Sequence, residues 1–263
     1  MDKIEQIKSI TNYKYLNYID DMKKELIAGF MCQDAMKDIL IVVKDQYEYI
    51  QNCIDSICSN TNNFNLYLWD NGSNLETARY LECVAQKNNC FLVRSEINEG
   101  FIKPNNELIK LTTSPYIILL NSDTEVKANW DLTMLGLLQQ NSNLAAVGYG
   151  GCSLDKNFDG GRVAFGSKID YIAGWSICIK RDIYDKFGLF DEVNLEFAYC
   201  EDADFCLRLK EAGLEIYAIN VELVNHYENK TIKSVQTEEF KCFFKECLEK
   251  NREYCIKRWK DFL

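Results

Sequence analysis

The chain has 263 residues, 47% of them hydrophobic, and a formal net charge of −10. That length suits one large domain with appendages, and that much apolar material can bury a substantial core. A chain this acidic has no field to attract nucleic-acid backbones, so nonspecific nucleic-acid binding is excluded as its function.

Residues 1–31 are predicted to form an amphipathic helical extension, with Ile4, Ile7 and Ile10 and then Leu16, Ile19, Met22 and Leu26 at helical spacing. A first strand is expected at Ile39–Val43, a helix at about Tyr47–Cys58 and a second strand at Asn65–Trp69. The second strand runs into Asp70-Asn71-Gly72-Ser73, a turn and helix-cap signal together. A helix near Leu75–Gln86 and a short strand at Cys90–Val93 follow. Next come a loop holding Asn98, Gly100 and Asn106, another helix, and a β-branched-rich run, Tyr116–Leu120. Strands alternating with helices imply an α/β fold with a mostly parallel sheet flanked by helices. Residues 148–166 hold six glycines and are expected to be an irregular, mobile loop over a site. A strand is expected at Tyr171–Ile179, a helix at 202–212 ended by Gly213, and a helix at 231–261 with Phe240, Phe243, Phe244, Cys247 and Leu248 on one face. The expected organisation is a helical N-terminal extension (1–36), a catalytic domain (37–229) and a C-terminal helical segment packed on it (230–263).

The twelve cysteines are scattered with no Cys-x-x-Cys pair, and there is one histidine, His226, so a structural zinc site is not expected. Cys53, Cys178, Cys206 and Cys247 sit at apolar positions, where cysteine serves as a small hydrophobe. No signal-peptide core or membrane-length apolar run is apparent, and a cytoplasmic protein is expected.

The chemistry concentrates where apolar runs stop. Tyr116–Leu120 ends at Asn121-Ser122-Asp123-Thr124-Glu125, and ligands in open α/β sheets bind beyond the carboxyl ends of strands. Asp123 is therefore placed to hold a cation against a ligand, with a turn or cap role as the alternative. His226 follows another apolar stretch, and between the two lies Glu201-Asp202-Ala203-Asp204. One histidine and several carboxylates suit a hard cation such as Mn²⁺ or Mg²⁺. If a helix starts near Asp202, that residue shares a face with Phe205, Cys206 and Leu209, a costly place for an idle carboxylate. Asp204 would instead form a routine i,i+4 surface pair with Arg208.

Taken in order, these pieces resemble a family-2 glycosyltransferase of GT-A fold over roughly residues 38–260. The residues that carry the resemblance are Asp70-Asn71-Gly72-Ser73, Asn98-x-Gly100-Phe101 with Asn106, Leu120–Glu125, Phe187–Glu192, Tyr199–Asp204 with Arg208, and His226. It implies inverting transfer of a sugar from a nucleotide-diphosphate donor, with Mn²⁺ or Mg²⁺ as cofactor. The family's Asp-x-Asp motif maps onto Asn121-Ser122-Asp123, with asparagine replacing the first acid. The resemblance implies that Asp123 and His226 bind the metal, with Asn121 reaching it directly or through water, and that Asp202 is the catalytic base with Glu201 in support. It also places Asp45, Asp70, Lys103, Asn106, Ser122 and Asp123 on the donor side. Turn, cap and solvated-lysine roles remain alternatives for Asp45, Asp70 and Lys103. Trp175 would line the acceptor pocket, though a core tryptophan fits equally well. UDP-N-acetylglucosamine is the first expectation for the donor and a deoxythymidine-diphosphate rhamnose the second. The acceptor is expected to be a glycan, a lipid-linked sugar or a protein such as flagellin. No nucleic acid and no stable membrane insertion are expected, and the terminal helices offer a homodimer contact. The alternatives are a sugar nucleotidyltransferase and a degenerate sugar-nucleotide-binding domain. The first is disfavoured because Lys44-Asp45-Gln46-Tyr47 lacks a Gly-rich loop; the second is prompted by Asn121 and opposed by Asp202 and His226.

Overall fold

A computed structural model describes residues 13–87, 89–227 and 237–263. The helical turns expected through Ile4, Ile7 and Ile10, and the start of the C-terminal helix at 231–236, lie outside these residues.

Helix α1 (Tyr13–Phe30) leads into β1 (Lys37–Val43), α2 (Tyr47–Asn60), β2 (Phe64–Asn71), α3 (Leu75–Ala85) and β3 (Cys90–Ser95). Then come α4 (Ile102–Leu111), β4 (Tyr116–Leu120), β5 (Thr124–Val126), α5 (Trp130–Gln140) and β6 (Leu144–Tyr149). Three short strands, β7 (Gly151–Leu154), β8 (Gly160–Val163) and β9 (Tyr171–Ile172), precede β10 (Ser176–Lys180) and α6 (Arg181–Phe187). The chain ends with α7 (Glu201–Glu211), β11 (Glu215–Ile219), β12 (Val224–His226) and α8 (Glu238–Trp259).

Seven strands form the central sheet in the order β11-β6-β10-β4-β1-β2-β3. All neighbours are parallel except β10, which runs antiparallel to β4 and β6. Strand alternation divides the core in two. Leu40, Ile117, Leu119, Ile177 and Ile179 face one helical layer with α4, α7 and α8. Ile39, Ile41, Ile118, Leu120 and Cys178 face the other, with α2, α3 and α5. The sheet is thus buried on both sides, which is why its strands are continuous apolar runs. Because β10 is reversed, its start, Ser176, pairs with Leu120 at the end of β4. The residues before β10 therefore share an edge with those after β1, β2 and β4, and the cleft lies on that edge.

Two sequence expectations fail here. Residues 148–166 are not an irregular loop: β7 pairs antiparallel with β8 and β9 in a separate small sheet. Its tip is a turn in which Asp155 Oδ1 accepts from Asn157 N and Asp159 N at 2.8 and 3.0 Å. Glycines and a polar tip mask the strand alternation in such short segments. The strand expected over 171–179 is broken at Ala173–Trp175, where Ala173 N turns aside to donate to Gly150 O at 3.0 Å.

The terminal helices are tied to the rest of the fold by buried polar groups. Glu25 on α1 is fully buried and accepts from Tyr217 Oη and from Asn220 N and Val221 N at 3.0–3.1 Å. On α8, Trp259 Nε1 donates to Asp204 Oδ1 at 3.0 Å.

Candidate active site

The chain leaves β4 through Asn121-Ser122-Asp123 and then forms β5, which pairs antiparallel with β12 so that His226 lies opposite Thr124. That pairing brings two residues a hundred positions apart together: His226 Nε2 is 3.2 Å from Asp123 Oδ1. Both are largely buried, and Nε2 has no aligned hydrogen-bond partner. Such an arrangement, one imidazole nitrogen beside one carboxylate oxygen, fits a divalent cation of the Mn²⁺ or Mg²⁺ type. Among the described residues no cluster of three or more His, Cys, Asp or Glu could hold a metal. The protein would therefore supply a minority of the ligands, and a bound diphosphate and water the rest.

Asp202 opens α7 on the other side of the same cleft. Its Oδ2 accepts from Gly174 N at 2.9 Å and its Oδ1 from Ala203 N at 2.7 Å. The next residue, Trp175, stacks on the His226 ring with centroids 4.7 Å apart and planes at 14°. Trp175 O also accepts from Asn121 N at 2.8 Å. A continuous set of contacts thus runs from Asp202 through Gly174 and Trp175 to His226 and Asp123. Gly150 makes room for it, since a Cβ there would come within 2.3 Å of Trp175 Nε1. Trp175, expected in the acceptor pocket, both lines the cleft and fixes the imidazole plane.

Glu201 is buried, and its Oε2 has no hydrogen-bond partner. Burial, and secondarily the charge of Asp202, holds its carboxyl well above the ordinary glutamate range. Burial also raises Asp202, opposed by hydrogen bonds from the backbone N–H groups of Gly174, Ala203 and Asp202 itself.

Asp204 corrects a sequence expectation. It is not on an exposed face: it is 1% exposed, bonded to Arg208 Nε at 2.9 Å and to Trp259 Nε1 at 3.0 Å, with Arg258 at 3.5 Å. Helix α8 covers the side of α7 that periodicity leaves to solvent.

The donor-side expectations separate. Ser122 and Asp123 line the cleft. Asp70 Oδ1 accepts from Ser73 N at 2.8 Å, and Asp45 Oδ1 from Asn74 N at 2.6 Å, so both brace the turn after β2. The cleft wall beside them is formed by Lys44 and Asn71, with Lys44 Nζ held by Asp45 and by Gly72 O. Lys103 is exposed, pairs with Glu99 at 2.5 Å and is not a cleft residue. Asn106 is in α4 rather than a loop; it is buried and holds the backbone of Phe190 through hydrogen bonds of 3.0 and 3.1 Å.

One residue on which the site depends was not anticipated. Phe197, Tyr199 and Cys200 all have positive φ, a strained path for side chains of this size. Asn251 on α8 is fully buried and clamps this path. It accepts from Glu196 N and donates to Glu196 O, Ala198 O and Tyr199 O at 2.8–3.0 Å. From the other side, Phe101 N donates to Phe197 O at 2.6 Å. Gly100, at φ +84°, permits that approach, because a Cβ would come within 2.3 Å of Phe197 O. An asparagine in a charged helix carries no signal of such a role.

Residues 38–192, more than half of the chain, match the family model described as Glycosyl transferase family 2. No curated protein matches the sequence. Among solved structures, the chain is similar to GalNAc-T7 with UDP, GalNAc and Mn²⁺, at TM-score 0.65 and 15% identity, over 82% of this chain and 53% of that one. It is also similar to the mannosyltransferase PcManGT from Pyrobaculum calidifontis in complex with GDP-Man and Mn²⁺, at TM-score 0.57 and 12% identity, over 76% of this chain and 65% of that one. The chain thus spans about half of the first relative's length and just under two thirds of the second's. Glu201, Asp202, His226 and α8 lie beyond the matched segment, so their roles rest on geometry. By sequence model and by fold, the chain belongs to glycosyl transferase family 2, with a GT-A fold.

Proposed function

We propose that the protein is a metal-dependent, inverting glycosyltransferase that moves a sugar from a nucleotide-diphosphate donor to an acceptor hydroxyl. The observation that carries this reading is the chain of contacts from Asp202 to the Asp123–His226 pair across one cleft. Asp123 and Asp202 both line that cleft, so a bare diphosphate would meet carboxylates of its own sign. A Mn²⁺ or Mg²⁺ ion on Asp123 and His226, with Asn121 beside them, would neutralise the diphosphate and the charge that grows on it as it leaves.

Asp202 takes the proton from the acceptor hydroxyl as that oxygen attacks the anomeric carbon. The new C–O bond forms on the face opposite the breaking sugar–phosphate bond, whose electrons leave with the diphosphate, and the configuration inverts. The hydrogen bonds from Gly174 N and Ala203 N hold the carboxylate in position to receive the proton. Glu201, beside it in the same cleft, supports it. The GT-A relatives with UDP and with GDP-Man support a nucleotide-sugar donor. UDP-sugars, with UDP-N-acetylglucosamine first, are our candidates, and the acceptor is a glycan, a lipid-linked sugar or a protein. Asp202→Asn tests the mechanism. Turnover should fall by a factor of about 10² or more while UDP affinity stays close to wild type. A variant that transfers sugar at the wild-type rate removes Asp202 from the mechanism.

A further inference from the structure

The reading above leaves one side of the cleft without a task. Beyond Asp202 the wall is aromatic. Phe197, Phe240 and Phe244 line it with Tyr199. The Phe197 ring lies 5.8 Å from Phe240 and 6.2 Å from Phe244, and Tyr199 lies 5.3 Å from Phe244. Phe240 and Phe244 are one helical turn apart on α8, stacked at 6.0 Å and 16°.

These rings are not core residues. Phe197, Phe240 and Phe244 belong to neither hydrophobic cluster, and all three are partly exposed. Leaving three phenylalanines partly exposed is unfavourable unless something covers them. The strained backbone at Phe197 and Tyr199, clamped by Asn251, is what turns two of the four rings into the cleft. Glu201, 5% exposed, lines the cleft beside Asp202, with its Oε2 buried and unpartnered. The wall therefore offers aromatic carbon, with two carboxyl groups beside it.

Resting on the glycosyltransferase reading, we propose that this wall is the acceptor subsite and takes an uncharged alcohol with an apolar group beside the attacking hydroxyl. The hydroxyl reaches Asp202, and the apolar group lies on Phe197, Phe240 and Phe244. A hydrated sugar with hydroxyls on every side would lose water against these rings without replacement bonds. An anionic acceptor would meet the Asp202 carboxylate beside a wall of aromatic rings that carries no cation.

The test uses the full chain with UDP and Mg²⁺, and paired methyl and hexyl β-glycosides of glucose, galactose, mannose and N-acetylglucosamine as probes. Affinity is read by calorimetry. In at least one pair the hexyl member should bind tenfold or more tightly than the methyl member. A 5-carboxypentyl glycoside of the same sugar should lose that gain, a control that needs no variant. The double variant Phe240→Ala/Phe244→Ala should also lose it while keeping its UDP affinity, which doubles as the check on folding. Pairs equal within twofold, a gain that survives the double variant or the added carboxylate, or no detectable binding of any hexyl glycoside would overturn the subsite while UDP binding leaves the transferase reading standing. If UDP itself does not bind, that reading falls and the subsite with it.

Discussion

Asp202 and Asp204 are two positions apart on one helix and do different work. Asp202 meets the cleft, whereas Asp204 is enclosed by Arg208 and Trp259. Helical periodicity separates their faces but cannot reveal that a helix fifty residues downstream covers one of them. Asp204→Ala would leave Trp259 Nε1 and the Arg208 guanidinium without their acceptor. It should cost about 2–3 kcal/mol of stability, seen as an earlier denaturation midpoint; an unchanged midpoint would refute the structural role. Glu201 makes a pH-dependent prediction. Its folded-state pKa is raised, so the stability it contributes is complete below the ordinary glutamate range and is lost as pH rises through the folded value. Glu201→Gln carries no charge at any pH. Its melting temperature should exceed that of wild type by more at pH 8 than at pH 5, and a gap independent of pH would contradict the assignment.

At the scale of elements, the regular parts of the fold were legible and the packing between them was not. The β-branched and apolar runs of β1, β2 and β4, the turn after β2 and the glycine that ends α7 all carry their signals locally. Asp123 and His226 likewise each follow an apolar run, and the pairing of β5 with β12 brings them together. The small sheet β7–β9 escaped notice because its strands are two to four residues long and rich in glycine. The role of α8 escaped because Asn251 acts on backbone atoms more than fifty residues away. Asn251→Ala would strand four backbone groups on a path already strained by three positive φ values. We expect a loss of about 3 kcal/mol, with turnover falling further than UDP affinity, because Glu201 and Asp202 follow directly on that path. Equal losses in both quantities, or neither, would show that α8 does not position the acids.

At the scale of the whole molecule, the net charge and the cleft make the same demand. On the proposed reading, a chain of net charge −10 with Asp123 and Asp202 lining one cleft would use a cation to admit a diphosphate. Among the described residues no helix is long and apolar enough to cross a membrane. The most direct test titrates UDP calorimetrically into the wild-type chain with Mn²⁺, with EDTA, and into Asp123→Asn with Mn²⁺. UDP binding in Mn²⁺ should weaken at least tenfold in EDTA, and the Asp123→Asn variant should bind in Mn²⁺ as poorly as wild type does in EDTA. Equal UDP affinity with and without the metal, or an Asp123→Asn variant indistinguishable from wild type, would contradict the proposed metal role.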